Sequence, residues 1–264
     1  MNMTRSALAV LWLAMVVPAQ AGGQPPTSKA EYEAIVAEWT AAKKAATLAQ
    51  SALVASEAYQ AAQKAKDTAK LTELRATVKQ PDGKAYGARA IELAAKYPGD
   101  EGLPFLTFLC TKVYDKASVA LAVDSLLEHH VKSAGITDIL ENAMALSSLA
   151  GKEQAEKLLS RVIAENPHKL PKAWASYWQA STIQRDKTAT AEMKAKAEQM
   201  LAEAEQLAAG SLLADRIAAP RFIKENLQIG MTAPNIVGED LDGAAFELKD
   251  YLGKVVVLDF WGFW

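Results

Sequence analysis

Residues 97–183 read YPGDEGLPFLTFLCTKVYDKASVALAVDSLLEHHVKSAGITDILENAMALSSLAGKEQAEKLLSRVIAENPHKLPKAWASYWQASTI. Helical patterns close at Tyr97-Pro98-Gly99, at Val131 to Gly135 and at Asn166-Pro167, in steps of 34 and 35 residues. Proline and glycine at such points punctuate the chain, since one cannot continue a helix and the other readily leaves it. An apolar helical run follows each stop: Leu103 to Val113, Ile136 to Leu149, and Leu170 to Ile183. The spacing predicts helix-turn-helix units stacked side by side, burying a continuous core that no unit buries alone.

In period this segment resembles tetratricopeptide-like arrays, whose specific consensus it matches poorly, so the expectation is limited to stacked helical hairpins over residues 84–210. A last helix is expected from Ala189 to Ala209, stopped by Gly210. On the N-terminal side, residues 28–80 form an Ala-rich segment. No glycine or proline occurs from Thr27 to Gln80, and 15 of the 40 residues from Ala30 to Ala69 are alanine. Alanine is the strongest helix former, so a long helix is predicted. Ile35, Trp39, Ala42, Ala46, Ala49 and Leu53 step by four and three along one seam. The seam loses phase through Ser56, Gln60 and Gln63 and recovers at Leu71, Leu74 and Val78. This places a break or an antiparallel hairpin between Ser56 and Lys70.

The first 21 residues carry the pattern of a secretory signal. Arg5 precedes an apolar run from Ala7 to Val17, Pro18 ends it, and Ala19-Gln20-Ala21 fits a cleavage site. Such a run is too short for a bilayer, which takes about 20 residues. An exported protein is expected, periplasmic or extracellular in a bacterium, with no membrane anchor after cleavage. With 29 basic and 31 acidic residues the formal net charge is −2, which gives no basic excess for nucleic acid. One cysteine and three histidines leave no internal dithiol, no Cys-rich zinc site and little scope for a histidine metal cluster. No metal and no cofactor are expected.

The individual candidates read blandly. Cys110, in an apolar helical run, reads as a buried inert thiol, with a redox or intermolecular thiol as the alternative. His129 and His130 are adjacent, so on a helix they diverge by about 100° and share no ligand face. They suit a helix C-terminus, and His168 a loop. Trp174 and Trp178 form either a core stripe or a partner-binding groove. The acidic EDLDG at 239–243 lacks the ligand spacing of a calcium loop and reads as a hairpin turn at Asp242-Gly243.

After Pro220 the pattern changes. Residues 229–264 read IGMTAPNIVGEDLDGAAFELKDYLGKVVVLDFWGFW. Leu248 to Leu252 suits one helical turn. Val255 to Trp261 is β-branched and aromatic with no polar residue before Asp259, the pattern of a strand buried on both faces. These pieces together resemble the opening of a redoxin domain of the exported thioredoxin-like (TlpA-type) and alkyl-hydroperoxide-reductase/thiol-specific-antioxidant group. The carriers are Ile229-Gly230, Ala233-Pro234, EDLDG, Phe246, Leu248, Asp250, Tyr251, Gly253-Lys254 and VVVLDFWGFW at 255–264. The resemblance covers about a seventh of the chain.

It implies that residues 227–264 are the N-terminal fragment of a thioredoxin-like α/β domain, and that a protein disulfide is the substrate. In that family the F-W-x-x-W run is followed by a C-x-x-C motif, which here would follow Trp264. Both catalytic cysteines therefore lie beyond these residues, and residues 1–264 alone are expected to be inactive. The family-equivalent supporting residues are Asp259, Trp261 and Trp264; the plainer reading of Asp259 is an inward-pointing carboxylate in an incomplete sheet, costly to bury unpaired. The competing reading is a non-enzymatic helical-repeat scaffold that binds a protein partner. The fold class expected is mainly α: a long Ala-rich helix and stacked hairpins, followed by the first β elements of an incomplete thioredoxin-like domain.

Overall fold

The computed structural model describes residues 26–262. The signal-type segment at 1–21 and Trp264 lie outside the described residues. Twelve helices come first: α1 (Ser28–Ala55), α2 (Glu57–Lys64), α3 (Thr68–Ala76), α4 (Gly83–Lys96), α5 (Leu103–Phe108), α6 (Lys116–Ser125), α7 (Thr137–Leu140), α8 (Ala143–Leu149), α9 (Lys152–Glu165), α10 (Lys169–Arg185), α11 (Ala191–Leu207) and α12 (Leu212–Asn226). Two short strands follow, β1 (Val237–Glu239) and β2 (Ala245–Glu247). The protein is thus mainly α with a small β element at its C-terminal side.

Side-chain caps start many of these helices. Thr27, Ser56, Asp67, Asp82, Asp115 and Thr190 each accept a hydrogen bond from a backbone N–H of the first turn. Ser56 also ends α1, so the expected break falls there, with a second one between α2 and α3. The N-terminal half of the α1 seam is buried at Ile35, Trp39 and Ala46, while Ala49 is exposed. Alanine offers little area for a neighbour to cover, and much of the far end of the helix is exposed, with Leu53 half-buried.

The core centres on residues 103–113. LPFLTFLC is apolar around most of its circumference, and a helix of that kind must be enclosed. Phe105, Leu106, Phe108, Leu109 and Cys110 are all buried, between α1, α4 and α6. Trp39 meets Phe108 edge-on at 6.0 Å, Tyr32 meets Phe105 edge-on at 5.8 Å, and Tyr97 stacks on Phe105 at 6.0 Å. Beyond Phe108 the helix widens into a π turn, Leu109–Val113, and ends at Tyr114 in the left-handed region. A second π turn, Leu126–His130, extends α6.

Hydrogen bonds join segments about one predicted unit apart. Arg161 Nη1 donates to the Leu127 carbonyl at 2.6 Å, and Trp178 Nε1 donates to the Leu140 carbonyl at 2.6 Å. Asn166 is fully buried; its Nδ2 donates to the carbonyls of Val131 (2.7 Å) and Ser133 (2.9 Å). Its Oδ1 accepts from the His168 backbone N–H at 2.9 Å, so both ends of the amide are used. Farther on, α10 packs along α11, where buried Ala173, Ala180, Ala197 and Ala204 permit close approach. The Arg216 guanidinium lies 5.3 Å over the Trp174 ring and ties α12 to α10.

Two expectations are corrected. The helix α11 ends just before Gly210, as expected, but it is not the last helix: α12 follows and runs through Pro220. Pro220 is exposed, so water can hydrate the carbonyl that loses its N–H partner. Val255 to Trp261 forms no strand: the described β-structure is the single antiparallel pair β1–β2, in the register Val237↔Glu247. A strand exists only with a ladder partner, and none of the described ladders includes residues 255–260.

One glycine marks the tightest helix contact. A Cβ on buried Gly87 of α4 would lie 2.1 Å from Ser118 Oγ and 2.7 Å from Ser118 Cβ on α6. Gly87→Ala should therefore destabilise the protein by about 1–3 kcal/mol, as overpacking does. Gly83→Ala, whose Cβ meets ordinary contacts at 3.7 Å, should change little. Thermal melts of the two variants check this.

Candidate functional site

The redoxin-like residues sit in a locally ordered C-terminal extension. The turn at Asp240–Ala244 closes the β1–β2 hairpin: Asp240 Oδ1 accepts from the backbone N–H groups of Asp242 and Ala244, both at 2.9 Å. Gly243 takes φ +79°, which its lack of a Cβ permits. Asn235 braces the far end, donating to Glu247 Oε2 at 2.7 Å and accepting from the Lys249 N–H at 3.0 Å. Glu247 and Asp250 form a reciprocal capping box over the 3₁₀ turn Leu248–Tyr251. The acidic EDLDG is therefore a turn built from its own backbone.

Past Leu252 the chain is exposed. Val255 is 97% accessible, Val257 89%, Phe260 83% and Trp261 73%. Asp259 is also exposed, in place of the inward-pointing carboxylate of the sequence reading, because no sheet encloses it. Asp259 and Trp261 share this segment, and Trp264 lies outside the described residues.

No other described residues form a reactive constellation. Cys110 is 1% accessible, and burial pushes its thiol up to about 12. A thiol so placed carries almost no thiolate at neutral pH. No group of three or more His, Cys, Asp or Glu side chains among the described residues is placed to hold a metal. His168 is exposed at the N-cap of α10. Trp174 and Trp178 are buried in the core, the bland alternative of the two. His129 and His130 end the second π turn with rings nearly perpendicular. His130 is buried, its Nδ1 has no hydrogen-bond partner, and burial pushes its imidazole below the ordinary range. Sequence alone signalled neither that burial nor the role of Asn166.

Comparison with known proteins finds relatives of part of the chain. Over 41 residues the chain is 58% identical to the thiol-disulfide oxidoreductase ResA of Bacillus thuringiensis (strain Al Hakam), covering 16% of this chain and 24% of that protein. The same enzyme of Bacillus subtilis (strain 168) is 51% identical over 41 residues, 16% of this chain and 23% of its own length. That of Geobacillus thermodenitrificans (strain NG80-2) is 49% identical over 41 residues, 16% and 24%. Part of the chain is similar to thiol-disulfide oxidoreductases. The chain spans about a quarter of the length of these relatives. No family model matches the chain, and no solved structure matches it. Among the described residues, no helix is long and apolar enough to cross a membrane.

Two outcomes are expected. Cys110 should resist Ellman's reagent in the folded protein and react fully after denaturation; rapid native labelling would contradict the burial. His130 should make stability depend on pH. Its folded imidazole resists protonation, so on acidification the unfolded chain binds more protons, and stability falls as pH drops through about 6.5 toward the lowered folded value. Melts across that range should show the loss, and His130→Gln should flatten it.

Proposed function

We propose that residues 227–264 open a redoxin-type thiol-disulfide oxidoreductase domain, carried behind the helical region in an exported bacterial protein. The observation that supports this most is the 41-residue identity of 49–58% with ResA enzymes, a length close to that of the extension. The motif pieces from Ile229 to Trp264 are the basis in sequence.

On this reading a C-x-x-C motif follows Trp264 at a helix N-terminus, where the helix end favours the thiolate. That thiolate attacks one sulfur of a substrate disulfide. The other substrate sulfur leaves as a thiolate and is protonated. The second cysteine then attacks the mixed disulfide, leaving the substrate reduced by two electrons and the enzyme oxidised. Asp259, Trp261 and Trp264 would support this chemistry from the preceding segment. Residues 1–264 hold one thiol, Cys110, whose burial leaves it no part in the cycle.

The competing reading is a non-enzymatic one, in which the helical region over residues 84–210 is a protein-binding scaffold. The clefts left open between its helices favour that reading.

The test of the redox reading is the coding sequence beyond Trp264: Cys-x-x-Cys immediately downstream supports it, and its absence from every frame overturns it. Protein comprising residues 22–264 should reduce insulin in the presence of dithiothreitol no faster than its Cys110→Ala variant.

A further inference from the structure

A cleft of about 710 Å³ opens between α4 and α6. Ile91 and Leu106 line its interior and Leu121 its lip, the last more than half exposed despite being aliphatic. Asp124 and Glu128 flank it, one turn apart on the solvent side of α6 and its π turn. No lysine or arginine lines it. Asp124 accepts from the neutral Gln154 amide at 3.2 Å, and the ionic neighbour of Glu128 is the His129 imidazole at 3.7 Å. His130 completes the wall, buried and with its Nδ1 unpartnered. An unsatisfied buried nitrogen is uncommon, and π turns recur at binding sites because they displace side chains from the helical register.

Apolar walls and two exposed carboxylates without a strong cation share one complement. It carries N–H donors and positive charge on an apolar stem, as lysine and arginine side chains do. We propose that this cleft docks a basic, apolar peptide segment of a protein partner. An aliphatic or aromatic side chain seats between Ile91 and Leu121, and a Lys or Arg side chain lies against Asp124 and Glu128. This deepens the scaffold reading of the helical region and rests on it.

The experiment uses the protein comprising residues 22–264 and fluorescence anisotropy with three short labelled peptides: alternating Leu-Lys, alternating Leu-Glu and alternating Ser-Lys. Leu-Lys should bind, weakening as salt rises, with the other two weaker by about tenfold or more. The double variant Asp124→Lys/Glu128→Lys, both positions being exposed, should lose about tenfold for Leu-Lys while keeping its thermal melt. Leu121→Ser should lose affinity without reversing the charge preference. Equal binding of Leu-Glu or Ser-Lys, or unchanged binding by the double variant, overturns the cleft assignment and leaves the scaffold reading standing. Binding of no peptide overturns both.

Discussion

The enclosure of residues 103–113 is the constraint on which the helical structure depends. Phe105, Leu106, Phe108, Leu109 and Cys110 face in several directions and are all buried. Each needs a neighbour of its own, and α1, α4 and α6 supply them. Burying one large apolar side chain is worth about 1.5–3 kcal/mol, so this segment outweighs any exposed ion pair on the surface. The close approach at Gly87, the aromatic contacts of Trp39 and Tyr97, and the turn at Pro98-Gly99 all serve that enclosure. The same packing sets α4 against α6 and so shapes the cleft between them.

The C-terminal extension follows the opposite rule. Its order comes from local hydrogen bonds: the Asp240 turn, the Asn235 brace and the capping box at Glu247. Its large apolar side chains from Ile229 to Trp261 remain largely in solvent. A segment such as VVVLDFW, with high β propensity and one charge, is stable only inside a sheet and otherwise favours intermolecular pairing. The buried core and the sequence resemblance thus lie in different parts of the chain. The helices carry the buried core, and the extension carries the resemblance to thiol-disulfide enzymes.

Much of this was legible in the residues. The helix stops at Tyr97-Pro98 and Asn166-Pro167 are fixed by backbone chemistry that acts locally, as are the break at Ser56 and the hairpin turn at Asp242-Gly243. The inert character of Cys110 followed from its apolar neighbours. Features that depend on distant partners were not legible. Asn166 reads only as part of a helix stop in sequence, and only the fold brings the Val131 and Ser133 carbonyls to its amide. Gly210 reads as the stop of the last helix, yet α12 follows it and runs through Pro220, whose missing N–H costs little where it is exposed. Val255 to Trp261 reads as a buried strand because its side chains fit one, but a strand is a property of a pair. For Asp259 and Trp261, residue type pointed to a role that the described structure leaves without enclosure.

Hydrogen exchange resolved by mass spectrometry tests this division most directly. In the protein comprising residues 22–264, amides from Leu103 to Val113 should exchange only through global unfolding, while those from Val255 to Trp261 exchange near the rate of an unstructured chain. Strong protection of Val255 to Trp261 in the monomer would show that the extension is packed into the fold, contradicting the account.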